Sequence, residues 1–115
     1  GIQMLTKLVQ LAHCRSGDKG NTSNISVIAY HPEFYAPIKE QLSAEKFKNF
    51  YSGVIKGNVT RYNLDDLQML NFVCEGALGG GVSRSLCLDN YGKSLSSRIL
   101  SFKIDIDDNL EQLLQ

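Results

Sequence analysis

Six of the ten glycines fall in two short stretches: Gly17 and Gly20 in one, and Gly76, Gly79, Gly80 and Gly81 in the other. Glycine weakens ordinary helices and strands, so such clustering marks tight backbone geometry or close approach of a ligand. Both stretches carry cations, Arg15 and Lys19 in the first and Arg84 in the second. Successive backbone N–H groups in a glycine-rich turn converge on an anion. Arginine adds a planar, two-pronged grip on a carboxylate or phosphate. The candidate ligand-binding residues are therefore Arg15, Ser16, Gly17, Lys19, Gly20, Asn21, Gly79, Gly80, Gly81, Ser83 and Arg84, with an anionic small molecule as the ligand. A plainer reading of each stretch stays open: a hairpin connection with glycine at positive φ, and a helix stop.

Other chemistry has thinner support. His13 precedes the first glycine stretch, and beside a carboxylate such as Asp18 it is a candidate general base. Cys14 adjoins Arg15, a neighbour that lowers a thiol pKa when the two groups meet, but no second feature supports a nucleophile. No Gly-x-Ser-x-Gly elbow surrounds Ser16, Ser83 or Ser85. Gly92-Lys93-Ser94 lacks the upstream glycine of a phosphate-binding loop, because position 87 is Cys. Gly-x-Gly-x-x-Gly fails at Arg84. With two histidines and no convergent carboxylates, no metal site is expected, and no cofactor.

The chain has 115 residues, enough for a single domain and too few for two. Hydrophobic residues make up 43% and charged residues 21%, which excludes disorder as a whole-chain state. A formal net charge of zero argues against a general electrostatic grip on nucleic acid or on an anionic membrane. No apolar run approaches the roughly 20 residues of a membrane span. The three cysteines, Cys14, Cys74 and Cys87, form no Cys-x-x-Cys pair, and with no visible signal peptide they read as reduced thiols of a cytoplasmic protein. Acidic residues Asp105, Asp107, Asp108 and Glu111 gather at the C-terminal end, read as a solvated face.

The elements that must position these groups follow from hydrophobic spacing. Lys7 to His13 reads as a buried strand, Arg15 to Thr22 as a loop, and Asn24 to Tyr30 as a second strand paired with the first. Pro37 suits the first residue of a helix. Ser43 is an expected N-cap for a helix carrying Phe47, Phe50, Tyr51 and Val54 at three- and four-residue steps. A third strand is expected over Val59 to Leu64. Asp65 and Asp66 then suit a helix start, with Leu67, Leu70, Cys74 and Ala77 as its apolar face. Ser83 to Leu88 reads as a fourth strand, Lys93 to Leu100 as a short helix or more strand, and Phe102, Ile104 and Ile106 as a last strand. The expected fold is α+β: a two-layer sandwich with a mostly antiparallel sheet and helices on one face.

Several segments together resemble a known family. They are Leu11-Ala12-His13-Cys14-Arg15-Ser16-Gly17-Asp18-Lys19-Gly20-Asn21, Asn24-Ile25, Arg61-Tyr62, Leu70-Asn71-Phe72, Gly76-Ala77-Leu78-Gly79-Gly80-Gly81-Val82-Ser83-Arg84-Ser85-Leu86, Asp89 and Gly92-Lys93. In this order, from about Leu11 to Leu100, they are similar to the small C-terminal domain of acyclic terpene utilisation protein A, the AtuA-like proteins. The sequence departs from that pattern at Cys14, where a small residue is usual, and at Asp65, where Pro is common. The first departure speaks against a catalytic Cys14. The resemblance implies a ferredoxin-like fold and a setting in acyl-CoA or branched-acid catabolism, but no catalytic residue. It also implies a larger AtuA-like subunit, encoded separately, as a partner.

Three functions follow as expectations. The first is an accessory module that binds an acyl-CoA or carboxylate and docks onto a larger partner. The second is a hydratase, lyase or isomerase subunit with His13 or Asp18 as acid or base and loop amides as an oxyanion site. The third is a structural module that assembles as a homo-oligomer, for which Phe34, Tyr35 and Tyr91 are candidate surface aromatics.

Overall fold

The computed structural model describes residues 2–19, 22–51, 55, 57–75 and 95–114, with Asp18, Lys19, Leu95, Ser96 and Ser97 described by their backbone. Six strands and two helices follow in the order β1 (Gln3–Lys7), β2 (Ala12–Lys19), β3 (Thr22–Ala29), α1 (Pro32–Gln41), α2 (Ala44–Phe50), β4 (Val59–Leu64), β5 (Met69–Glu75) and β6 (Lys103–Asp107). Short 3-10 turns occupy Leu8–Gln10, Asp65–Leu67, Leu95–Ser101 and Asp108–Leu113. The described residues form two antiparallel sheets, one of four strands in the order β2-β3-β5-β4 and one pairing β1 with β6. The expected strand over Ser83 to Leu88 lies outside the described residues, as do Gly53, Val54, Cys87 and Tyr91.

Alternation along the central strands decides which face is buried. Ser23, Ile25 and Val27 of β3 are buried with Leu70, Phe72 and Cys74 of β5, and the residues between them are not. The helices cover that inner face. Phe47 of α2 stacks flat on Phe72, with ring centroids 4.2 Å apart and planes 7° apart. Phe34, Tyr35, Ile38 and Leu42 of α1 join the same core, as do Ile104 and Ile106 of β6. Each large side chain so buried is worth about 1.5–3 kcal/mol. The fold is thus α+β with helices against one face, as expected. Among the described residues, no helix is long and apolar enough to cross a membrane.

Several element assignments are corrected. The stretch from Lys7 to His13 is not one strand: Leu8–Gln10 forms a 3-10 turn, and β1 precedes it. Arg15 to Lys19 is strand rather than loop, so only Gly20 and Asn21 lie between the paired Lys19 and Thr22. The block from Asp65 to Ala77 is not a helix. It begins as a 3-10 turn, and the chain reverses through Gln68 at φ 49° into β5. Leu67, Leu70 and Cys74 fit a helical stripe, but Leu70, Phe72 and Cys74 also alternate, and pairing on both sides decided for the strand. Helix α1 starts at Pro32, leaving Pro37 in its interior. There Pro37 removes one backbone donor, and the helix is held instead by its buried face. Lys93 to Leu100 contains a 3-10 turn from Leu95, and the last strand is present as β6. Ser43 caps α2 as expected, its hydroxyl accepting from the Lys46 N–H at 3.1 Å.

Two side-chain devices fasten α1 to the sheet. Arg61 of β4 donates through Nη1 to the carbonyls of Lys39 at 2.6 Å and Leu42 at 2.9 Å, filling acceptors that the helix end leaves open. The Tyr35 hydroxyl donates to the Asp65 carboxylate, which Lys39 also reaches at 3.0 Å. Burial, then the bond to Asp65, pushes the Tyr35 phenol up from 10.0 to about 12. The Tyr35 hydroxyl and the Lys39 ammonium in turn hold the Asp65 carboxyl below its usual value.

Arg61→Ala is expected to lower the unfolding free energy by about 2–4 kcal/mol, by stranding two half-buried carbonyls, and a urea denaturation midpoint measures it. The two titrations act at opposite ends of the pH scale. Tyr35 contributes stability that is complete below pH 10 and falls away as the pH rises to about 12. Asp65 contributes stability that is present above its ordinary carboxyl range and is lost as the pH falls through its lowered value. In urea titrations across pH, Tyr35→Phe is expected to remove part of the alkaline loss, and Asp65→Asn part of the acid loss.

Candidate functional site

Antiparallel register places directly paired residues on the same face. On the face away from the helices, Arg15 pairs with Ser26, Ser26 with Asn71, and Asn71 with Tyr62. These four make one straight polar row across β2, β3, β5 and β4. With strands about 4.8 Å apart, the row spans roughly 14 Å. One neighbouring row is His13, Ile28, Met69 and Leu64; the other is Gly17, Asn24, Val73 and Thr60. A cation, two amides, a hydroxyl and a phenol thus lie beside an apolar strip.

Electrostatically the face is open. Arg15 is exposed, and among the described residues no carboxylate pairs with it. Tyr62 is 55% exposed. Asn71 Oδ1 and His13 Nδ1 are buried atoms without a hydrogen-bond partner, a costly state for a polar atom in a folded protein. His13 stacks on Tyr30 with centroids 5.5 Å apart. A groove of about 570 Å³, lined by Asn63, Leu64, Asp65, Asp66 and Leu67, meets this face at Leu64. The arrangement is suited to receiving an anion and its apolar substituent: guanidinium and amide N–H groups as donors, with Ile28, Met69 and Leu64 as an apolar bed.

The candidates from the first glycine stretch are thereby sorted. Arg15 and Gly17 stand on the open face, whereas Ser16 pairs with Ile25 on the helix-covered one. Gly17 has extended backbone, and a Cβ there would meet Asn24 Oδ1 at 3.5 Å, an ordinary contact, so it is not a turn glycine. Lys19 ends β2 opposite Thr22, and Asp18 pairs with Ser23. His13 and Asp18 do not come together: five strand residues separate them, about 17 Å along β2. Cys14 and Arg15, as strand neighbours, lie on opposite faces. Cys74 is fully buried, and burial pushes its thiol up to about 12, an unreactive state. Gly20, Asn21, Gly79, Gly80, Gly81, Ser83 and Arg84 lie outside the described residues. Glu75, the last described residue before the second stretch, pairs with Thr22 at the end of the sheet where β2 passes into β3.

Sequence reasoning assigned no site role to Asn24, Ser26, Asn71 and Tyr62. The signal was parity: once Leu70, Phe72 and Cys74 are taken as the buried side of a strand, Asn71 faces the other way with Arg15.

The residues of this face coincide with segments that carry the resemblance to AtuA-like proteins, from His13 to Gly17, through Asn24, to Tyr62 and Asn71. No curated protein and no solved structure matches the chain significantly. The profile of the AtuA ferredoxin-like domain, in contrast, matches residues 6–105, which takes in all four strands of the sheet and both helices. The chain therefore belongs to the AtuA ferredoxin-like domain family.

Proposed function

We propose that this domain is an accessory binding module that holds an anionic organic ligand, a carboxylate or an acyl-CoA, on its open sheet face and works beside a larger AtuA-like subunit. The observation that carries the reading is the polar row Arg15–Ser26–Asn71–Tyr62, with its exposed, carboxylate-free guanidinium among the described residues. Arg15 would meet the anion with charge-assisted hydrogen bonds. The unpartnered Oδ1 of Asn71 would accept from a ligand hydroxyl or amide, and Ile28 and Met69 would take the apolar portion. Entry of the chain into the second glycine stretch beside Thr22 supports keeping Gly79 to Gly81, Ser83 and Arg84 as further contacts.

Binding is favoured over acid–base catalysis by the state of His13. A catalytic imidazole is usually oriented by a hydrogen bond at one ring nitrogen. Here Nδ1 has none, and Asp18 is far along the strand. The acyl-CoA ligand and the branched-acid setting remain tied to the family resemblance.

Calorimetric titration with CoA thioesters and small carboxylates is expected to show binding. Arg15→Ala should weaken it by about 10- to 100-fold, the worth of a charge-assisted pair, while leaving the urea midpoint unchanged because Arg15 is exposed. No heat at millimolar ligand, with or without the larger subunit, refutes the reading. Turnover by a reconstituted complex that collapses in His13→Ala would instead establish the enzyme-subunit alternative.

A further inference from the structure

Strand β1 has one edge against β6 and one edge open. Backbone bonds from Leu8 N to Phe102 O and from Asp108 N to Ile2 O show that even-numbered residues of this strand point their amides at β6. By alternation, Gln3, Leu5 and Lys7 point their N–H and C=O groups outward. Among the described residues, none of these groups has a backbone partner beyond the strand. The opposite edge of the same ribbon is closed. The Gln41 side chain donates to the Asp105 carbonyl at 2.6 Å and accepts from the Asp105 N–H at 2.8 Å, imitating a neighbouring strand. Natural proteins block exposed edges with proline, inward charge or bulges. Gln3-Met4-Leu5-Thr6-Lys7 contains no proline and no acidic residue.

The exposed side of β1 also carries unsatisfied chemistry. Leu5 is 58% and Val9 45% exposed, and they line an open groove of about 590 Å³ with Lys7, Gln10 and Lys103. Lys7 stands directly opposite Lys103, a like-charge pairing that destabilises a ladder.

We propose that the open edge of β1 pairs with β1 of a second copy, antiparallel about a two-fold axis at Leu5. The segment is complementary to itself in that register. Leu5 meets Leu5, and Gln3 meets Lys7 on both sides, so no like charges face each other. Because Gln3 pairs with Asp107 within each copy, the register also brings an aspartate two strands from each Lys7. That offsets the repulsion from Lys103. The contact is isologous, so it closes at two copies. On the order of six backbone hydrogen bonds would form. A five-residue strand pair buries less than the roughly 1,200 Å² of a standard interface, so the dimer is weak, with a dissociation constant on the order of 0.1 mM.

The test is sedimentation equilibrium of the full chain over a concentration series. The wild type is expected to shift from monomer to dimer near ~0.1 mM. Leu5→Asp and Leu5→Lys each place like charges at the axis and are expected to stay monomeric. Both should fold, because the Leu5 side chain is exposed and its amide does not serve β6; far-ultraviolet circular dichroism checks this. An equimolar mixture of the two is expected to dimerise again, with opposite charges facing across the axis. A wild type monomeric at ~1 mM overturns the proposal and leaves the edge to a strand from another protein. Dimers persisting in either single variant, or no rescue on mixing, likewise overturn it.

Discussion

The pairing of Ile25 with Phe72 sets the parity of the four-stranded sheet, and the two chemistries of the molecule separate along it. A slip of one residue would turn Phe72 outward and Asn71 into the core. The stacking of Phe47 on Phe72 resists that slip, because only one register presents a flat aromatic ring to α2. Everything on the open face inherits its position from this choice. Arg15, Ser26, Asn71 and Tyr62 form a row because residues opposite Ile25 and Phe72 are already committed inward.

Backbone groups at the margins are satisfied by side chains rather than by more secondary structure. Arg61 closes the end of α1, Gln41 closes the outer edge of β6, and Asp65 gathers Tyr35 and Lys39 at the turn into β5. These arrangements occupy two of the molecule's cations in structure. The contrast with Arg15 is what gives that residue its meaning. It stands on the same sheet as Arg61 but on the other face, with no carbonyl end or carboxylate among the described residues to engage it. Neutral overall charge and a locally free cation are thus compatible, because the opposing charges are committed elsewhere.

Element types were easiest to read where burial followed a single period. The alternation of Ile25, Val27 and Ala29, that of Ile104 and Ile106, and the Ser43 cap with Phe47 all left one reading. Leu67, Leu70 and Cys74 left two, since three- and four-residue steps and a two-residue alternation overlap at Leu70 and Cys74. The glycines near Arg15 misled in another way. Gly17 signalled a loop, yet in a two-sided strand a glycine is tolerated where its backbone stays extended. Two prolines competed for the start of α1, and only contact of Phe34 and Tyr35 with the sheet favoured Pro32. β1 was invisible because Gln3 to Lys7 gains its partner from β6, almost the whole chain away.

By itself the sequence determined the α+β class, the family, and the presence of a cation-bearing, glycine-flanked segment after a histidine. Those properties depend on residue type and near-neighbour spacing, which the chain carries locally. Only the tertiary structure decided that Arg15 shares a row with Asn71 and Tyr62, that His13 and Asp18 stand apart, and that β1 keeps an open edge. Each depends on cross-strand register between segments distant in sequence, and register is set by burial on the opposite face rather than by the residues it brings together.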